Sequence, residues 1–296
     1  MTFALACFAD ETAPAGRLAE ALGAPLQSVH VHRFPDGETM PRVEAPAAET
    51  TIVYRALDRP NAKLVDLILA ADAWRRAGAR RLILVAPYFC YLRQDAVFAP
   101  GEPLSRDVIA PLIGARFDGV VTVQAHLHRT ADLGAALGTA AENLWSVEPL
   151  AEALPAYAPS PLVIGPDAES GPWAEALAAR LHGEAICLRK TRRGDRSVAI
   201  EAPEPPPAAG RPVVIIDDVA ASGETLVQAV SLAKAAGAVT IDVAVVHALM
   251  DEAAVERLRR SGARQVISAD GVLHPTNAAR LAPLLAQAVQ RMTART

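Results

Sequence analysis

Short aliphatic runs and stretches of helical spacing alternate along almost the whole chain. Buried-type strands are predicted at residues 3–6, 29–33, 51–54, 81–86 and 119–125, and again at 162–165, 185–188, 213–216, 240–246 and 265–268. Continuous apolar runs of this length, bounded by turn residues, suit a sheet covered on both faces. Helices are predicted at 15–22, 61–77, 104–113, 173–181, 224–237, 253–260 and 277–291. In 61–77, for example, Leu64, Leu67, Ile68, Ala71 and Trp74 recur at helical spacing and Gly78 ends the pattern. Strands alternating with helices predict an α/β fold of two doubly wound parallel-sheet domains, 1–143 and 144–296, with the boundary inside 138–149. Two stretches carry little periodicity, 91–103 and 189–210. The Arg-rich part, 189–196, has two readings: a mobile loop that closes over a bound anion, or a surface linker. The Pro-rich part that follows suits neither a helix interior nor a central strand.

Composition narrows the class. Hydrophobic residues make up 51% of 296 residues but aromatics only 4%, so the cores must be aliphatic and Ala-rich. A net charge of −4 with pI near 6.0 argues against a general nucleic-acid binder. Local Lys and Arg can still receive an anionic substrate. Cys7, Cys90 and Cys187 are scattered, which indicates neither a disulfide frame nor a zinc site and suits a reducing, cytoplasmic setting. No apolar run has the length of a membrane span, and the N-terminus lacks a signal-peptide pattern.

The most informative segment is VVIIDDVAASGET. Its aliphatic strand, 213–216, runs into Asp217 and Asp218, then a small-residue loop of Ala220, Ala221, Ser222 and Gly223, then a helix opening at Glu224 and Thr225. Ligands of open α/β sheets bind at the carboxyl ends of strands, and a helix N-terminus offers unpaired N–H groups to a phosphate. Adjacent carboxylates accept hydrogen bonds from sugar hydroxyls. The segment therefore reads as a sugar-phosphate cradle; the alternative is an ordinary strand–turn–helix with an acidic turn. Other strand ends carry chemistry too. Phe34-Pro35-Asp36-Gly37-Glu38 is a turn that can also stack on and hydrogen-bond a base. Arg93 and Gln94, in PYFCYLRQD after strand 81–86, suit a nucleotide or belong to a plain surface turn. His126 and His128 follow strand 119–125 and can meet a metal or phosphate oxygen, though such pairs are commonly structural. Asp167 follows strand 162–165, where a carboxylate can hold Mg²⁺ directly or through water. Lys190 and Arg192 can meet a polyphosphate transition state.

In this order, FPDGE, PYFCYLRQD, His126, Pro166-Asp167, Lys190-Thr191-Arg192, DDVAASGET and the terminal His274-Pro275-Thr276-Asn277 resemble the ribose-phosphate pyrophosphokinase (PRPP synthetase) family, archaeal-type members in particular. The resemblance implies two phosphoribosyltransferase-like domains with the active site between them. It implies transfer of the diphosphoryl group of ATP to the anomeric hydroxyl of ribose 5-phosphate, with Mg²⁺ required. It implies that Ala221, Ser222, Gly223, Glu224 and Thr225 hold the 5-phosphate, and that Asp217 and Asp218 engage the ribose hydroxyls. His126 and Asp167 would organise Mg²⁺–ATP, with His126 also catalytic. Arg93 and Gln94 would contact ATP, and Phe34, Asp36, Gly37 and Glu38 its adenine, from a neighbouring subunit of a homo-oligomer built on dimers. Lys190 and Arg192 would close over the transferring group. The chain departs from the family pattern at Gln124, Glu169-Ser170, Ala221, Glu224 and Ala269-Asp270-Gly271. A non-catalytic nucleotide-binding member and a phosphoribosyltransferase are the alternative readings.

Overall fold

The computed structural model describes residues 3–294 apart from Asp95, Phe98, 128–131, 193–197 and 202–205; for 189–192 and 198–201 it describes the backbone alone. The chain forms two compact units, Met1–Leu144 with Leu281–Thr296, and Trp145–Arg280.

The first unit begins with β1 (Phe3–Phe8), α1 (Thr12–Leu22), β2 (Leu26–Arg33), β3 (Thr39–Arg42) and β4 (Thr50–Tyr54). It continues through α2 (Pro60–Arg76), β5 (Arg81–Val85), α3 (Ser105–Gly114), β6 (Gly119–Val123), α4 (Leu133–Leu137) and β7 (Ala140–Leu144). Among the described residues the sheet order is β3-β2-β1-β4-β5-β6-β7, parallel except for the β2–β3 pair at one edge. The central strands are aliphatic and buried: Leu82, Ile83, Leu84 and Val85 of β5 are wholly inaccessible, as are Ile52 and Val53 of β4. Leu64, Leu67, Ala71 and Trp74 of α2 pack into the same core, which is the face their spacing predicts.

The second unit contains α5 (Val147–Ala153), β8 (Leu162–Gly165), α6 (Gly171–Arg180), β9 (Glu184–Cys187), β10 (Arg189–Arg192) and β11 (Val198–Glu201). It ends with β12 (Pro212–Ala220), α7 (Glu224–Ala235), β13 (Thr240–Ala248), α8 (Glu252–Ser261), β14 (Gln265–Ala269) and β15 (Asn277–Ala279). The order β15-β14-β13-β12-β8-β9 is fully parallel. In this order the chain reverses direction across the sheet between β8 and β12, which is the switch point where such sheets bind ligands.

Several expectations need correction. Residues 189–196 are not all irregular: β10 and β11 pair antiparallel, Lys190 opposite Ile200 and Arg192 opposite Val198, favoured by the β-branched Thr191, Val198 and Ile200. β12 does not stop at Ile216 but runs on through Asp217 and Asp218 to Ala220, paired with β13 as far as Ala248. Asn277 does not open the last helix; residues 277–279 are β15, and α9 (Ala282–Ala294) follows. That helix packs in the first unit, against α1 and the β5–β7 side of the sheet. Arg81 donates to the Met292 carbonyl at 2.7 Å and Arg291 to Glu142 at 2.7 Å.

Candidate active site

The second unit gathers its candidates at the carboxyl edge, on both sides of the switch point. Beyond β8, Asp167 caps a single 3₁₀ turn: its Oδ1 accepts the N–H groups of Glu169 and Ser170, both at 3.1 Å, and Ser170 Oγ donates to the Asp167 carbonyl at 2.7 Å. The carboxylate is thus fixed in direction before any ligand arrives. In the last residues of β12, Asp217 Oδ1 accepts the N–H of Asp218 at 3.0 Å, and Asp218 Oδ1 accepts that of Val219 at 2.7 Å. Asp217 is half-buried and Asp218 only 9% exposed. The loop then turns through the exposed Ala221 and Ser222 to Gly223, whose φ of 76° lies in the left-handed region that glycine adopts without strain. Glu224 and Thr225 form the first turn of α7. Its leading N–H groups have no intrahelical acceptor, and Glu224 is exposed there, where the helix dipole favours an acid.

Lys190 and Arg192 lie on β10, and their side chains are outside the described residues. So are Asp95, at the end of PYFCYLRQD, and His128.

The first unit holds the remaining candidates beyond β2, β5 and β6. The Phe34-to-Glu38 turn closes the β2–β3 hairpin: Phe34 N–H donates to the Glu38 carbonyl at 2.8 Å, and Asp36 Oδ1 accepts the Glu38 N–H at 3.1 Å. Gly37 sits at φ 94°. Phe34 is 40% exposed and meets His32 edge-on at 4.6 Å. Thr39 Oγ1 donates at 2.6 Å to the buried Asp66 of α2, which ties the hairpin down. Arg93 and Gln94 are exposed after β5; Gln94 Oε1 accepts the hydroxyl of Ser105, which opens α3. Gln94 therefore has a local structural role as well. β6 ends at Val123; Gln124 follows, held at a positive φ of 41°, with its N–H donated to the Leu144 carbonyl at 2.8 Å, and the half-buried His126 comes next. Among the described residues no group of three or more His, Cys, Asp or Glu side chains is gathered for a metal ion.

Residues 5–116 match the N-terminal domain of ribose phosphate pyrophosphokinase, and residues 155–277 match the phosphoribosyl transferase domain. The ribose-phosphate pyrophosphokinase of Methanopyrus kandleri is 35% identical over 94% of this chain and 95% of its own length. Ribose-phosphate pyrophosphokinase 1 of Archaeoglobus fulgidus is 31% identical over 92% of this chain and 95% of its own. The chain belongs to the ribose-phosphate pyrophosphokinase family. The crystal structure of phosphoribosylpyrophosphate synthetase from Mycobacterium smegmatis superposes with a TM-score of 0.83 at 22% identity, covering 100% of both chains, and shows the same fold.

One charged cluster in this pyrophosphokinase-family chain escaped the sequence reading. At the switch point of the first sheet, between β1 and β4, Arg55 Nη1 donates to Asp10 at 2.6 Å and Glu11 at 3.2 Å. Lys63 of α2 reaches Asp58 at 2.6 Å and Glu11 at 3.4 Å, and the N–H of Ala56 donates to Glu11 Oε1 at 2.8 Å. The Arg55 guanidinium lies 4.1 Å over the Phe8 ring. Burial pushes the Glu11 carboxyl up to about 7 despite both cations. A signal was present: Asp10-Glu11 and Arg55 each follow a buried strand directly, the same position that marked Asp167 and His126.

Proposed function

We propose that this chain is a ribose-phosphate diphosphokinase: it moves the diphosphoryl group of ATP to the anomeric hydroxyl of ribose 5-phosphate, giving PRPP and AMP. The reading rests first on the pairing of two acids, a left-handed glycine turn and an open helix N-terminus at the end of β12. That combination suits a sugar bearing a phosphate, with hydroxyls taken by Asp217 and Asp218. The ester oxyanions are taken by the backbone of Ala221, Ser222, Gly223 and Glu224 and by the Thr225 hydroxyl. Family membership across both units supports the same reaction.

In phosphoryl transfer the protein contributes mainly positioning and charge neutralisation. Arg93 and Gln94 are assigned to ATP. Phe34, Asp36, Gly37 and Glu38 are assigned to its adenine, with the exposed Phe34 ring supplying a stacking face. Lys190 and Arg192 are assigned to the charge that develops on the transferring group. His126 and Asp167 are assigned to Mg²⁺, which when bound neutralises the polyphosphate oxygens. Mg²⁺ typically takes one or two protein carboxylates and completes its shell with water and substrate phosphates. A pre-oriented Asp167 fits that chemistry. The same reading takes a homo-oligomer built on dimers, so that a neighbour supplies the adenine turn, and a cytoplasmic setting. Among the described residues no helix is long and apolar enough to cross a membrane.

The test is AMP formation by purified protein. AMP should appear from ATP only when ribose 5-phosphate and Mg²⁺ are both present. Absence of AMP under those conditions rejects the reading, and release of pyrophosphate from PRPP plus a nucleobase would replace it with a phosphoribosyltransferase.

A further inference from the structure

The loop that precedes α7 has an anchor outside itself. Arg257, exposed on α8, donates through Nη2 to the backbone carbonyl of Ser222 at 3.0 Å. The helix that carries it is firmly seated: Asp251 caps its N-terminus by accepting the Ala254 N–H at 2.8 Å, and Ala254, Val255 and Leu258 are buried. The same helix backs the loop. A Cβ placed on Gly223 would stand 3.5 Å from Ala254 Cβ and 3.7 Å from Met250 Sδ, so the left-handed glycine rests against α8 and the segment that joins β13 to it.

In a trans peptide the carbonyl and the following N–H point in opposite directions. A guanidinium that holds the Ser222 carbonyl on the α8 side therefore turns the Gly223 N–H to the other side. Glycine has no Cβ to hold that peptide in place, so the bond to Arg257 limits its rotation. Arg257 also brings a cation to a loop that carries the acidic Glu224. We propose that Arg257 is a positioning residue: it presets the Ser222–Gly223 peptide of the anion-binding loop so that the loop meets the phosphate ester of a sugar phosphate with its N–H groups already aimed. The inference rests on the functional reading above and deepens its acceptor site.

A positioning role and a plain surface hydrogen bond make different predictions for kinetics. In Arg257→Ala the KM for ribose 5-phosphate should rise about ten-fold, the scale of one charge-assisted hydrogen bond. The KM for ATP, kcat and the melting temperature should stay near wild type. Arg257→Lys, which keeps a cationic donor, should recover most of the loss. An unchanged KM for ribose 5-phosphate, an equal rise for both substrates, or no recovery with lysine would overturn the assignment. Titration calorimetry with ribose 5-phosphate on wild type and Arg257→Ala runs in parallel and needs no turnover. A wild type that binds the sugar phosphate but makes no AMP rejects the diphosphokinase reading, while a ten-fold weaker Arg257→Ala still supports Arg257. A wild type that does not bind ribose 5-phosphate at all overturns the positioning role outright.

Discussion

Glu11 offers a measurement that isolates one buried proton. The residue is 5% exposed, and burial raises its carboxyl from the ordinary 4.5 to about 7, against the pull of Arg55 and Lys63. The unfolded chain therefore releases this proton near 4.5 and the folded chain only near 7. Between those values the folded state holds the extra proton, so the contribution of this group to stability is full below about 4.5. It falls as the pH rises and is gone above about 7. One proton changes stability by at most about 1.4 kcal/mol per pH unit, so the whole interval amounts to about 3 kcal/mol. Glu11→Gln removes the titrating group yet keeps an oxygen for the Ala56 N–H. Urea unfolding of both proteins at half-unit steps from pH 4.5 to 8 gives the difference for the Glu11 cluster, because the groups remote from it titrate alike in the two. Wild type should lose about 3 kcal/mol relative to the variant across the interval, with the steepest change between 5 and 7. A difference that stays flat with pH, or that runs in wild type's favour as the pH rises, would refute a raised Glu11 and with it the dominance of burial over the two cations.

Other perturbations read other parts of the molecule. Lys190→Ala should lower kcat about a hundred-fold with an unchanged far-UV spectrum, since a charge needed only in the transition state costs turnover and not folding; steady-state AMP formation decides it. Asp217→Asn or Asp218→Asn should raise the KM for ribose 5-phosphate by about ten-fold or more and that for ATP far less, and equal effects on both would contradict the sugar-hydroxyl role. Gly114→Ala should cost about 2–3 kcal/mol in urea unfolding, because the added methyl would lie 1.8 Å from the Leu137 carbonyl oxygen and α3 and α4 would have to part. Asp242→Asn should cost about 3 kcal/mol: the wholly buried carboxylate accepts from the Tyr157 hydroxyl at 2.7 Å and from Arg264 Nε at 2.9 Å, and a neutral amide leaves Arg264 partly unpaired.

The buried strands were legible because their composition admits one answer. Leu82 to Val85 and Val213 to Ile216 are too short for helices and too apolar for an exposed edge. Elements of mixed composition were not. β7, with the sequence AAENL, is an edge strand stabilised partly by the Glu142–Arg291 ion pair, and its partner residue lies far along the chain. The β10–β11 pair was missed because β10 is a run of basic residues, Arg189, Lys190 and Arg192, that does not read as a strand. α9 shows a further limit: an amphipathic face predicts that a helix is covered, not by what, and here it is covered by α1 and the first sheet rather than by its sequence neighbours. The candidate residues were named from chemistry that follows a buried strand, a rule that also covers Asp10, Glu11 and Arg55 but was not applied to them. Arg257 follows no strand, and only the folded position of α8 brings it to Ser222.

The two sheets share one geometric opportunity and use it differently. In the second, the switch point between β8 and β12 carries Asp167, Asp217 and Asp218, each of which accepts N–H groups of its own turn, and in the adjoining loop the Glu224 N–H donates to Ser222 Oγ at 3.4 Å. In the first, the switch point between β1 and β4 is taken up by the chain's own charges, with Glu11 accepting from the Ala56 N–H, Arg55 and Lys63 together. An anion entering there would have to displace a buried carboxylate and compete for the same three donors, and breaking a buried pair costs about 3–5 kcal/mol. The candidate residues of the first unit stand beyond β2, β5 and β6, away from this network. Under the proposed function, a sheet whose switch point is closed by its own ion network leaves the nucleotide to its outer loops, and the sugar phosphate falls to the other sheet.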